Sequence, residues 1–455
     1  MMFVNKTDDM SEQHSPAIPI AKPGFREAFY FWLKLGFISF GGPAGQIGIM
    51  HTFLVDQKKW ISDRKFLHAL NYCMLLPGPE AQQLATYIGW LLHGTAGGVV
   101  AGALFVLPSV FILLGLSAVY VTFGEIPWVA AMFYGLKPAV VAIVILALIK
   151  ISKKSLLSLL HVMVAVASFT GIFFFNIPFP YIILGAVLFG WLAMRLYPTL
   201  ITEKKTAREI SENEKGYYLN MDSEVPHTAF RVGRLLKQLG VIGALWVMPF
   251  LVLNMSQGAA FWERLVAFFT KAAFVTFGGA YAVLPYVAQV AVEDFNWLTR
   301  LEMIDGLALG ETTPGPLIMV LAFVGFMAGY NYFGGSLLMG SLGLLTTTYY
   351  TFLPCFLFIL AGAPIIEKTQ SNSSVKAVLG VVTAAVVGVV LNLTVYFAQA
   401  VLFPERLSLQ ALDIFSFAWI IISLVAMYRF KVGMIPWIGI SALAGLLHFL
   451  FTASA

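Results

Sequence analysis

Long apolar runs separated by short polar punctuation dominate this chain, and the runs fall into two lengths. Val99 to Val121, Ala139 to Leu148, Val162 to Phe175, Val378 to Ala400 and Ile414 to Met427 approach or exceed the length that a helix needs to cross about 30 Å of hydrocarbon. The stretches before residue 94 are shorter. Phe25 to Phe40 is apolar until Gly41-Gly42-Pro43 stops one helix and starts another, proline being preorganised for a first helical turn. The next helix, Ala44 to Gln57, ends at a charged loop of Lys58, Lys59, Asp63, Arg64 and Lys65. A third, Phe66 to Leu76, is broken by Pro77-Gly78-Pro79, and a fourth runs to about Leu92. Longer segments follow near 95–123, 127–149, 156–175 and 180–197. The period-2 alternation of a membrane barrel is missing, and a closed barrel is the only other structure that satisfies its backbone in lipid.

The broken stretch recurs. Lys34 and Lys271, Gly41 and Gly278, Trp60 and Trp297, and Pro77 and Pro314 are all separated by 237 residues (271 − 34), so the chain holds two related halves. It divides into a polar tail (1–22), a first repeat (23–197), a polar linker (198–232), a linking apolar helix (233–254) and a second repeat (255–455). The tail lacks the apolar core of a signal peptide and reads as disordered and cytoplasmic. The linker, rich in Lys, Arg and Glu, reads as exposed and cytoplasmic. One extra crossing between the copies turns the second upside down.

Composition agrees with this class: 59% hydrophobic and 11% charged residues, with a mean hydropathy of +0.83, cannot be solvated as a water-soluble globule. Charge supplies the orientation, because Lys and Arg favour the cytoplasmic side of short loops. Loop 57–65 is strongly basic, whereas its repeat partner, 293–302, carries Glu293, Asp294 and Glu302 against Arg300. If Lys150, Lys153 and Lys154 are cytoplasmic too, the broken pairs enter and leave on one face as re-entrant hairpins. Single crossings remain the other arrangement, and the inversion survives either. The expected fold is an all-α polytopic membrane protein of two inverted-topology repeats with broken, re-entrant helices.

Interrupted helices between inverted repeats are where secondary transporters place a substrate, and helix N-termini suit an anion. Lys34 and Lys271, inside apolar helices, point to one anionic site on the pseudo-twofold axis; alternatively each snorkels to an interface. Gly41, Gly42, Gly278 and Gly279 either pack backbones closely or present N–H groups to an oxyanion. Pro77-Gly78-Pro79 and Pro314-Gly315-Pro316 shape the breaks, although one such motif alone is only a turn. Ser39, Gln82, Gln83, Thr276, Thr312 and Thr313 are neutral donors for oxyanion oxygens, or interhelical glue. Glu80 either complements a helix dipole or, with Glu311, moves protons. A dianion about 6 Å from an ionised carboxylate is repelled by about 5.5 kcal/mol at an effective dielectric of 20, enough to favour proton uptake on binding.

Phe40-Gly41-Gly42-Pro43, the segment ending at Trp60, Pro77-Gly78-Pro79-Glu80, Phe277-Gly278-Gly279 and Pro314-Gly315-Pro316 resemble the two-domain members of the chromate ion transporter family. The resemblance covers about 25–200 and 255–450. It implies export of the dianion chromate across the cytoplasmic membrane, giving resistance, with sulfate as a similar tetrahedral oxyanion and Pro43 among the site residues. Ala280 stands where the second copy would repeat Pro43, and Leu317 where it would repeat Glu80, so the half-sites are unequal. Dispersed histidines and two isolated cysteines, Cys73 and Cys355, support no metal site, and no hydrolase or nucleotide-binding motif is present. No cofactor or nucleic acid is expected; the partners are the oxyanion and the lipid bilayer, and a homodimer is compatible. A membrane enzyme using Glu80 and Glu311 on a lipid-linked substrate, and a passive anion channel, are the competing readings. A dianion leaving a cell negative inside gains about 4.6 kcal/mol per 100 mV, so export needs no ATP.

Overall fold

The computed structural model describes residues 22–196, 216–221, 223, 225, 231–366, 373–404 and 408–453. Helices carry almost all of this backbone. In the first repeat they are α1 (Phe25–Ile38), α2 (Gly42–His51, prolonged by a π turn Thr52–Gln57), α3 (Asp63–Cys73), α4 (Glu80–Phe123), α5 (Pro127–Ser155), α6 (Leu159–Phe175) and α7 (Phe179–Leu196). After the linking α8 (Val232–Asn254) come α9 (Ala259–Val275), α10 (Ala280–Ala288, prolonged by a π turn Gln289–Asp294), α11 (Arg300–Thr312) and α12 (Val320–Tyr332). The second repeat closes with α13 (Leu337–Ile366), α14 (Ser373–Leu402), α15 (Ile414–Leu424) and α16 (Met434–Ala453).

The repeat holds at the level of single backbone angles. Positive φ occurs at Lys59 and Asn296, at Gly41 and Gly278, at Gly42 and Gly279, and at Gly78 and Gly315, each pair at the sequence offset. The two π turns coincide as well. Helix α4 is in fact two rods. At His93 and Gly94 the backbone leaves helical angles, with Gly94 at φ 66°, and the chain doubles back. The rods touch through small residues: a Cβ on Gly97 would come within 2.4 Å of the Gly89 carbonyl, the close approach that small residues allow in membranes.

Contacts at the helix ends show the broken pairs to be hairpins. Lys58, after the π turn, pairs with Glu27 at the start of α1 at 2.8 Å, and Phe53 stacks on Phe31 at 3.9 Å. The imidazole of His93, ending the first rod of α4, lies 2.9 Å from the Pro23 carbonyl oxygen. Pro23, Lys58 and His93 therefore share one face. In the second repeat Trp297 meets Phe261 near the start of α9, and the Asn331 amide donates to the Trp297 carbonyl at 2.8 Å. These groups share the opposite face, because the second rod of α4 leaves His93 and reaches Tyr120, which donates to Asp305 in the first half of α11 at 3.0 Å. Among the described residues α4, α5, α7, α8, α13, α14 and α16 are long and apolar enough to cross a membrane, and α6 and the segment of α15 are shorter apolar helices. The first face carries Lys58, Lys59, Lys153, Lys154, Arg429 and Lys431; the second carries Glu125, Glu263, Glu293, Asp294, Glu302 and Asp413. They are the basic and acidic faces below.

Helix α8 buries no residue. Pro249 inside it deprives the Leu245 carbonyl of its helical donor, and the Tyr349 hydroxyl donates to that oxygen at 2.7 Å while Tyr350 donates to the Trp246 carbonyl at 2.8 Å. A break in lipid is thereby repaired by a neighbour, as it must be. The linker departs from expectation in one place. Leu219 is buried, and Tyr218 and Leu219 donate backbone N–H groups to Lys59 and Trp60 while the Leu219 carbonyl accepts from Ser62. Averaging over a charged linker conceals the apolar triplet Tyr217-Tyr218-Leu219, which docks on the basic face. The tail before residue 22 and most of the linker lie outside the described residues.

Cysteines placed at Lys59 and at Asp294 should react with an impermeant maleimide from opposite sides of the membrane, Lys59 from the cytoplasm. Labelling of both from the same side would refute the inverted arrangement.

Candidate functional site

Helix lengths place the breaks at depth. With 14 residues in α1 and 13 in α11, their tips lie about 20 Å from opposite faces, so tips from both repeats meet inside the membrane. There the repeats bind each other reciprocally. Gly315 N–H donates to the Ser39 carbonyl at 2.7 Å, and Gly78 N–H donates to the Thr276 carbonyl at 2.7 Å. Ser39 and Thr276 are repeat partners, as are Gly78 and Gly315. Each Pro-Gly-Pro loop thus satisfies the carbonyl left over where the other repeat's first helix stops. Four half-helices, α2, the first rod of α4, α10 and α12, begin around this junction.

The candidates divide by environment. Gly41 and Gly42 hold left-handed φ values of 86° and 70°, Gly279 holds 97°, and a Cβ on any of the three would meet nothing within 4 Å. Backbone angle, not crowding, requires glycine there, and open space lies in front of these peptide groups. Gly278, at φ 82°, faces Thr383. Gly78 and Gly315 are crowded instead: a Cβ would strike Cys355 and Gln83 at the first and Ser109 at the second. The flanking Pro77, Pro79, Pro314 and Pro316 are buried, and Pro43 opens α2 half-buried.

Among the neutral donors, Ser39, Gln82 and Gln83 are fully buried, and the Ser39 hydroxyl and both glutamine carbonyl oxygens lack partners. Gln82 donates to Thr86 at 3.2 Å and Gln83 to the Pro77 carbonyl at 2.7 Å. Thr276, Thr312 and Thr313 spend their hydroxyl protons on the carbonyls of Ala272, Leu309 and Leu309, the back-bonding typical of hydroxyls on helices. Those three act as helix glue in this conformation. Glu80 starts α4 half-buried. Glu311 is buried and accepts from the Tyr281 hydroxyl.

Both lysines lie elsewhere. The inward face of α1 is Ala28, Phe31, Trp32, Leu35 and Gly36, and that of α9 includes Phe268, Phe269, Ala272 and Ala273, so Lys34 and Lys271 are exposed on the outer sides. Lys34 lines a groove of about 460 Å³ with Gly45, Gly48, Thr52 and Gln57. The structure does not bring the two together.

Sequence reasoning passed over three residues. Gln46 donates to the Gly315 carbonyl at 2.6 Å and, at 3.4 Å, to that of Ser39, tying α2 to the junction. Ser109 donates to the Pro314 carbonyl. Tyr281 holds Glu311. Gln46 was the most legible, as a lone amide in Gly42-Pro43-Ala44-Gly45-Gln46-Ile47-Gly48-Ile49. The half-sites are unequal in kind: Gln46, Gln82 and Gln83 face repeat partners Val283, Met319 and Val320, while Tyr281 and Glu311 face Ala44 and Met74.

A family profile described as "Chromate transporter" matches residues 26–191 and 262–446, well over half of the chain and one region in each repeat. The chain belongs to the chromate transporter family. It is similar to the chromate transport protein of Pseudomonas aeruginosa, 31% identical over 401 residues that cover 86% of this chain and 84% of that protein. It is similar also to the chromate transport protein of Cupriavidus metallidurans, 29% identical over 377 residues and 82% of each chain. The uncharacterized transporter YwrB of Bacillus subtilis is 30% identical over 155 residues, 34% of this chain and 75% of its own length. No solved structure matches. Membership and the apolar helices together make this family member a multi-pass protein of the cell membrane.

Alanine at Gly42 should cost about 1–2 kcal/mol through its left-handed angle alone, leaving the transporter folded. Gly315→Ala adds a collision with Ser109 and should lower the melting temperature of the solubilised protein further. Equal melting of the two variants would contradict the crowding at the Pro-Gly-Pro loop.

Proposed function

We propose that this protein is a secondary transporter that exports chromate, or a similar tetrahedral oxyanion such as sulfate, across the cytoplasmic membrane, with the basic face inside. The reading is carried by the reciprocal bonds of Gly78 and Gly315 across the repeats, which gather four half-helix starts in front of open space. Helix starts present N–H groups and partial positive charge to an anion, and Gly41, Gly42 and Gly279 leave room for it to approach backbone. Ser39, Gln82 and Gln83 supply hydrogen-bonding atoms beside the same junction. Lys34, in its groove, collects the anion from the basic side; Lys271 has no such part. The membrane potential drives a dianion outward, and the export confers chromate resistance.

Purified protein in liposomes should release labelled chromate faster under an inside-negative potential, and unlabelled chromate outside should accelerate the release by exchange. Potential-driven flux without exchange would reassign the protein as a channel, and absence of flux for both chromate and sulfate would refute transport. In the same assay Lys34→Gln should raise the half-saturating concentration, while Lys271→Gln should leave it unchanged.

Glu80 and Glu311 are the carboxylates beside the junction, and a carboxylate there is repelled by a dianion unless it takes up a proton. Binding of the anion is therefore accompanied by protonation of one of them, and the proton travels with the cycle. Replacing the responsible residue in Glu80→Gln or Glu311→Gln should preserve flux but flatten its dependence on pH between about 5 and 8. A wild-type pH profile in both variants would remove the carboxylates from coupling.

A further inference from the structure

The two repeats share a backbone plan but not a state. Helices α10 and α11 are enclosed: α10 packs along α14, α11 along α5, and every residue from Met303 to Glu311 is buried. Their repeat partners are more exposed, although α3 still buries Lys65, Phe66, Ala69, Tyr72 and Cys73. Among the described residues, α2 buries only Gln46 and Met50, and neither α2 nor α3 packs extensively against α5 or α14. Repeat-related positions make the contrast direct. Leu67 is 45% exposed and Ile304 0%; Asn71 is exposed and Ala308 buried. Arg64 and Asn71 on the open side of α3 are polar, which fits a crevice filled with water.

An ion pair sits where the enclosed side closes. Lys137 Nζ of α5 lies 3.2 Å from Asp305 Oδ1 of α11, with the side chains 17% and 5% exposed. The Tyr120 hydroxyl of α4 donates to Asp305 Oδ2 at 3.0 Å. Three helices are joined at one carboxylate. Position 68, the repeat partner of Asp305, holds histidine, so the carboxylate of this pair stands in one repeat only. Ionisable groups within membrane-spanning helices are costly unless paired, and a buried pair is a better lock than glue, since removing one partner leaves the other charge stranded.

We propose that the structure is the basic-face-open state of the transport cycle, and that Lys137, Asp305 and Tyr120 form the lock that keeps the acidic-face entrance shut. In the opposite state the exchange follows the pseudo-twofold axis. Helices α10 and α11 leave α14 and α5, the Lys137–Asp305 pair parts, and α2 and α3 close on α5 and α14. Because that carboxylate stands in one repeat only, the two closed states differ in chemistry and so in stability, and the resting population favours opening to the basic side. The inference rests on the transporter reading for what is moved, but its test reads accessibility alone and stands apart from flux.

Reporters Asn71→Cys and Ala308→Cys, in separate proteins with Cys73 and Cys355 replaced by alanine, are labelled in membrane vesicles of either orientation. Asn71→Cys should react readily from the basic side and Ala308→Cys slowly from the acidic side. Adding Lys137→Met should raise the Ala308→Cys rate at least tenfold and lower that of Asn71→Cys. The exchange Lys137→Asp with Asp305→Lys should restore both rates. If Lys137→Met is lost from the membrane, Tyr120→Phe removes one hydrogen bond and no charge, and should raise the Ala308→Cys rate at least threefold. An unchanged Ala308→Cys rate in every variant, a rise without a fall at Asn71, or an Asn71→Cys that resists labelling from the basic side would each overturn the proposal.

Discussion

Every peptide group placed inside a bilayer needs a hydrogen-bond partner, and a helix that stops halfway has several without one. This molecule stops helices at four places inside the membrane. Its solution is mutual: each repeat's Pro-Gly-Pro loop supplies a backbone donor to the carbonyl stranded at the other repeat's break, at Ser39 and at Thr276. Gln46, Gln83 and Ser109 satisfy the carbonyls of the loops themselves. Neither half could keep its breaks at that depth alone. The inverted pairing, the hairpins and the open space at the glycines follow from this one requirement.

Much of the architecture was legible in the sequence, because breaks are written in glycine and proline. The constant offset located the repeats, the glycine and Pro-Gly-Pro motifs located the tips, and loop charge separated the two faces. Side-chain direction was harder. Lys34 drew attention as a charge in an apolar helix, yet the spacing of Ala28, Phe31, Trp32 and Leu35 already puts the buried stripe on the other side of α1. The bonds of Gln46 to Gly315 and of Ser109 to Pro314 reach partners more than two hundred residues away, which no local pattern encodes. The docking of Leu219 was hidden because a short apolar patch in a charged linker vanishes in an average.

The junction is symmetric in its backbone and asymmetric in its chemistry. Amides cluster on the first repeat, and the Tyr281–Glu311 pair stands on the second. A backbone frame shared by both halves joins them through main-chain bonds, and it leaves their side chains free to differ. The unequal exposure of α3 and α11 is the conformational counterpart of that division.

The linking helix α8 touches the rest of the protein along a single side and buries none of its residues. Its contribution is the parity it adds to the path of the chain. Because the bonds that join the repeats run between main-chain atoms, they do not depend on which side chains either copy carries. A gene encoding one repeat could make the same junction if its product inserted in both orientations and paired with itself. Fusion of two such genes through one extra hydrophobic segment would then fix opposite orientations in a single polypeptide and free each copy to diverge.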